Sequence, residues 1–565
     1  MNSSYRISML AVATLLATAC TGVHDDPAMA VQSASPPEAA VVGANLLEGL
    51  GNYNFPVTTR HPEVQRWFNQ GLMLTYGFNH DAAERAFLKA TELDPECAMC
   101  WWGAALVLGP HVNAGMDPKN NARAWTRLQK ARAFAPKATE REQAFITALS
   151  SRYADSPPED RKALDQVYAV ATRELVRQRP DDLDAATLHA EALMDLQPWA
   201  YYDEARRPIG NTSEIVSVLE SVMARDANHA GALHLYVHAV EASADPQRGV
   251  VAADRLRELI PGSGHLVHMP AHIYARVGRW HDAVIANQRA IEADDAYLAV
   301  CRGNSGGVYP LGYVPHNHLF LWFAASMEGD APVARAAALK TAERTNLPDL
   351  MRPPGFASLQ HYWMSPWFDR VRFGRWDEIT AATNPAPDLP YVSAIWHYAQ
   401  GTAAARQDRI DDARRHLAAL RPLAADPVMD SMTMWDRYPL SYAARIAERS
   451  LTAEVASTEG DNDAAIAALR EAVAIEDRIP YDEPPGWHAP VRQALGAQLL
   501  VAKRQDEAEQ VYREELRRNP SNGWSLLGLA QSLKAQRRAR EAAEIERQVA
   551  QIWKNADVPP LASKY

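Results

Sequence analysis

From Trp67 to about residue 555 apolar positions recur every three to four residues, with little of the alternation that marks strands. This pattern predicts an all-α chain of short amphipathic helices broken by Gly, Pro and Asp turns. After the N-terminus no apolar run approaches the 18 residues needed to cross a bilayer. The first 20 residues differ: Arg6 precedes a hydrophobic run from Met9 to Leu16, and Ala17, Thr18 and Ala19 lead to Cys20. That is the layout of a targeting segment. Gly22 to Asn45, rich in Ala, Pro and Ser, reads as a tether.

Within the helical stretch a longer period appears. Trp67, Gly71, Leu74, Ala83, Phe87, Ala90 and Pro95 stand at positions 4, 8, 11, 20, 24, 27 and 32 of one unit. Small residues at 8 and 20 allow two helices to approach, and bulky ones at 11 and 24 fill the gap to the next pair. The register returns with Ala271, Tyr274, Ala283 and Ala290, with Gly401, Ala413 and Leu417, and with Gly496, Leu499, Ala508, Tyr512 and Pro520. Another unit opens with Trp524, Leu527 and Gly528. The chain thereby resembles the tetratricopeptide repeat (TPR) family, whose 34-residue unit is a pair of antiparallel helices. The resemblance implies a right-handed superhelical solenoid. It divides the chain into a signal peptide (1–19), a tether (20–50), N-terminal repeats (60–137), irregular hairpins (138–263), histidine-rich repeats (264–390) and C-terminal repeats (391–560). Insertions at Asn113 to Lys119 and Asn304 to Pro315 interrupt the array.

Charge narrows the partners. With 58 basic and 69 acidic residues the net charge is -11, which disfavours a nucleic-acid partner held by phosphate neutralisation. The N-terminus resembles a bacterial lipoprotein signal, although Ala17 stands where leucine is commonest. The resemblance implies cleavage before Cys20, a lipid on that cysteine, and residence in the periplasm or on the outer membrane. Membrane contact would then be through the lipid alone. Of the other three cysteines, Cys97 and Cys100 form a C-x-x-C pair open to three readings: a local disulfide, half of a metal site, or small packing residues.

Histidines carry the sharpest signal. In TPR units positions 2, 5, 9 and 12 or 13 of the first helix face the concave surface. With Ala271 at position 8 these places hold His265, His268, His272 and Arg276. Two partly matching units put His316 and His361 at position 2. His234, His238 and Glu241 form a further stripe at i, i+4 and i+7. The expectation is an exposed, histidine-lined groove. Imidazoles at such spacing suit a divalent transition metal, Zn, Cu or Fe. His265 and His272 lie about 10 Å apart along a helix axis, so one ion is expected to use His268 with one of them and a ligand such as His238 or Glu241. Only one of His316 and His318 can join. The competing readings are an acidic ligand bound with Arg276 and Arg302, or a polar layer between repeats.

Other signals are weaker. Gly303 to Gly307 satisfies G-x-S-x-G, but neither flank reads as the strand that a hydrolase elbow requires. Glu191 and Asp195 could supply catalytic carboxylates, yet their i, i+4 spacing is equally that of a solvated helix face. Tyr481 to Trp487, with Pro484 and Pro485, reads as a rigid connector. Two functions follow: a scaffold gripping an envelope protein or peptide in the groove, and a metal-binding protein or metal-dependent enzyme using the groove histidines.

Overall fold

A computed structural model of the chain describes residues 44–301, 309–557 and 562–564. Cys20, the signal segment, Arg302 and the Gly303 to Gly307 motif lie outside the described residues. The fold is all-α and built of TPR-like helix pairs. Among the described residues the only strands are two-residue pieces, Thr433–Met434 and Tyr438–Pro439. No helix among them is long and apolar enough to cross a membrane.

The chain forms two compact units. Among the described residues, one draws on 44–269 with 292–301 and 309–310, the other on 270–291 with 311–557 and 562–564. The first unit contains α1 (Pro62–Tyr76), α2 (His80–Leu93), α3 (Ala98–Leu106), α4 (Asn120–Phe134), α5 (Glu140–Leu149), α6 (Lys162–Gln178), α7 (Leu183–Asp195), α8 (Thr212–Arg225), α9 (Ala230–Val240), α10 (Val250–Leu259) and α11 (Gly264–His268). Helix starts follow from local chemistry. Asn79 caps α2 and Asp182 caps α7 by accepting a backbone N–H, and Thr139 with Glu142 closes a capping box on α5.

Each helix packs chiefly on its sequence neighbour, and the small-large-small device is visible in atoms. Phe87, wholly buried, fills the space where a Cβ on Gly71 or Gly103 would stand, its ring 2.7 Å and 2.5 Å from those positions. A contact between helices far apart in the chain is added to these: α9 also packs on α1. A Cβ on Gly231 would fall 2.7 Å from the Tyr76 ring, so the glycine is what permits this approach.

The second unit begins with α12 (Pro270–Val277) and the first turns of α13 (Trp280–Cys301), followed by α14 (Val314–Glu328) and α15 (Ala331–Thr345). After shorter helices come α16 (Pro390–Arg406), α17 (Ile410–Ala424), α18 (Ser441–Thr458), α19 (Asn462–Glu476), α20 (Val491–Val501), α21 (Gln505–Arg518), α22 (Gly523–Ala535) and α23 (Ala539–Ile552). The packing device recurs: Tyr512, buried, occupies the space beside Gly496 and Gly528.

Candidate metal centre

Helix α9 places His234 and His238 on one face, as their four-residue spacing requires. Its approach to α1 sets the first ring. The Tyr76 carbonyl can only accept, so His234 Nδ1 donates to it at 2.6 Å and Nε2 is left as a lone pair. That Nε2 lies 3.2 Å from His265 Nε2 on α11. His238 Nδ1 meets Glu241 Oε1 at 3.0 Å, an arrangement that protonates Nδ1 and exposes the lone pair of Nε2. One ligand nitrogen from each of His234, His238 and His265 lies within 4.8 Å of the other two. Two nitrogens on one tetrahedral ion with bonds of about 2.0–2.1 Å are separated by about 3.3 Å. The spacing therefore suits a single ion.

The three rings are 0%, 1% and 2% exposed, which overturns the exposed groove face expected for His265; His268 and His272 are buried as well. The physical reason lies in what covers them. Phe78 sits in the left-handed region at φ 54°, unusual for a bulky residue, and lays its ring 4.5 Å from that of His234 and 5.6 Å from that of His265. Trp199, at φ 62°, puts its edge on His238 with centroids 5.4 Å apart. Strained aromatic residues of this kind cluster at functional sites.

Support for His265 comes from elsewhere in the unit. Its backbone N–H donates to the Tyr309 hydroxyl at 3.1 Å, and that hydroxyl donates to Asp294 Oδ1 at 2.8 Å. Asp294 is buried against Gly264, where any Cβ would collide with its carboxylate. Two further histidines stand beside Phe78. His80 donates Nδ1–H to the Val107 carbonyl at 2.9 Å, and its ring lies 4.4 Å from that of His111. Burial holds His80 down to about 4 and His111 well below its usual range, so both are neutral at pH 7.

The carboxylates Glu191 and Asp195 belong to the interior, contrary to the solvated-face reading. Arg152 binds Asp195 at 2.7 Å and the Pro110 carbonyl at 2.8 Å. Burial raises Glu191 to about 7 and lifts Asp195 despite Arg152. The i, i+4 spacing is blind to this, because it fixes a shared helix face and not what packs against that face.

The remaining residues singled out from the sequence are dispersed. His268 stacks beside His265 with centroids 6.1 Å apart. In the second unit His272 Nδ1 pairs with Glu483, and its ring lies 5.9 Å from that of His316. Arg276 lies over Tyr481 at 5.4 Å. His361 Nδ1 meets the Tyr391 hydroxyl at 2.6 Å, and burial holds that histidine down to about 4. Cys97 and Cys100 form a buried disulfide at the start of α3, which decides among their three readings and removes them as a ligand pair. Phe78, Trp199, Tyr309, His80, His111 and Glu483 were not assigned to this chemistry by sequence. The one usable signal was the insertion that starts two residues after His111.

One family profile agrees with the repeat reading over part of the chain. The tetratricopeptide repeat profile matches residues 64–97. No curated protein is significantly similar to the chain. Among solved structures, yeast Tom70 is 11% identical, covering 86% of this chain and 96% of that one with a TM-score of 0.32. A human IFIT1 dimer with m7Gppp-AAAA is 11% identical, covering 88% and 91% with a TM-score of 0.29. The Cut9 and Hcn1 hetero-tetramer of the APC/C is 13% identical, covering 89% and 97% with a TM-score of 0.25.

Proposed function

We propose that this chain is a metal-binding TPR-like protein of the bacterial envelope, and that His234, His238 and His265 hold a divalent transition ion, Zn, Cu or Fe. The observation that carries the reading is the accounting of ring protons. The Tyr76 carbonyl takes the Nδ1 proton of His234 and Glu241 that of His238, so each ring turns its Nε2 towards the dry space it shares with His265. Such outer partners, a carbonyl and a carboxylate, are those that orient metal-bound histidines. Three neutral imidazoles leave a coordination position for water or substrate, the arrangement of catalytic sites and not of closed structural ones. Metal-dependent catalysis is thus the function this centre supports. Elemental analysis of the purified protein tests it: metal content should fall by one equivalent in His265→Ala, and an unchanged content in a folded variant refutes the reading.

Two features support the envelope setting of this reading. The N-terminal segment ending at Cys20 supports export and lipid anchoring, and the Cys97 to Cys100 disulfide is the kind of bond that persists outside the cytosol. Radiolabelled palmitate should enter the wild type and not Cys20→Ser. A second reading, a scaffold that grips a protein or peptide segment, is favoured by the repeat at 64–97. Metal-free protein of normal fold that crosslinks to an envelope protein in cells would place this reading first.

A further inference from the structure

The segment between α19 and α20, expected to be a connector only, delivers a carboxylate into the second unit. Arg437 and Tyr438 bind Asp482, Arg437 also reaches the Tyr481 carbonyl, and Trp487 is buried. These anchors fix Glu483 between them. Its side chain is 6% exposed and pairs with Nδ1 of His272, 4% exposed, on α12. On α14, His316 presents a ligand nitrogen within 4.8 Å of one on His272. Phe320, one turn after His316, packs on both rings with centroids 5.2 Å and 6.0 Å away, excluding water from one side.

We propose that His272 and His316 form a second metal centre, with Glu483 as its positioning carboxylate. Glu483 takes the Nδ1 proton of His272 and thereby turns the Nε2 lone pair towards the ion, the same device that Glu241 provides for His238 in the first unit. Neutral imidazole donors select a borderline divalent ion such as Zn or Cu over Mg or Ca. The remaining coordination positions go to water or to a small anionic substrate. The assignment uses only residues of the second unit and stands whether or not the three-histidine centre does.

Zinc titration of the full chain against a chromophoric chelator, with elemental analysis of the same samples, tests it. The wild type should take up two equivalents, His316→Ala one and His265→Ala one. Glu483→Gln, which keeps size and an acceptor oxygen, should retain both while one site weakens about 10- to 100-fold. His316→Ala that keeps two equivalents overturns the proposal, as does wild-type affinity in Glu483→Gln. A wild type with one equivalent, lost in either histidine variant, also overturns it. Loss in His316→Ala with His265→Ala unaffected would uphold the second centre and refute the first. Circular dichroism on each variant separates lost ligands from lost fold.

Discussion

Glu241 provides the sharpest test of the three-histidine centre. Its carboxylate lies 3.0 Å from His238 Nδ1, and both side chains are 1% exposed, so no water can substitute for either partner. Glu241→Gln keeps an oxygen that accepts the Nδ1 proton but removes the charge that makes the ring a better donor to metal. Glu241→Ala removes both and frees the ring to rotate. Outer-shell losses cost about 10- to 100-fold in metal affinity, or about 1.4 to 2.7 kcal/mol. Gln should fall near the lower figure and Ala near the upper one. The assay is competition for zinc with a chromophoric chelator at pH 7.5. Glu220→Gln, at a half-exposed site on Arg248 and Tyr236, serves as the control and should leave affinity unchanged. The reasoning fails if both Glu241 variants, folded as judged by circular dichroism, bind zinc within twofold of wild type. Loss of thermal stability without loss of affinity would instead make the pair a structural one.

Three further outcomes follow. Tyr309→Phe removes the hydroxyl that joins the His265 backbone to Asp294, and should lower the unfolding free energy by about 1–2 kcal/mol and weaken zinc binding several-fold in the same titration. Gly103→Ala drives a methyl into the Phe87 ring and should cost about 1–3 kcal/mol, read from urea unfolding of the full chain. Glu476 is held up at about 8 by burial first and by Glu515 next, so the folded chain keeps a proton that the unfolded chain releases above about 4.5. Stability from this group is complete below the unfolded value and is lost as pH rises through 8. Glu476→Gln should therefore melt higher than wild type at pH 8.5, by on the order of 2 kcal/mol, with the gap closing near pH 4.5; equal melting at both pH values would contradict the account.

What the sequence alone determined is local in the chain. The helices, their caps and the placing of Phe87 between Gly71 and Gly103, or Tyr512 between Gly496 and Gly528, involve residues about 16 positions apart on successive helices. A periodic pattern records such contacts because each unit repeats the same neighbours. The His234, His238 and Glu241 stripe was legible for the same reason, since spacing on one helix fixes a shared face. The tertiary structure decided what lies over that face. Gly231 lets α9 reach Tyr76, more than 150 positions earlier, and so orients His234. Phe78, Trp199 and Tyr309 then close over the cluster, and Glu483 arrives at His272 from over 200 positions away. The repeat register predicted a solvent-facing groove because it encodes only adjacent helices. Whether a face stays wet depends on distant segments, whose approach leaves no period in the sequence.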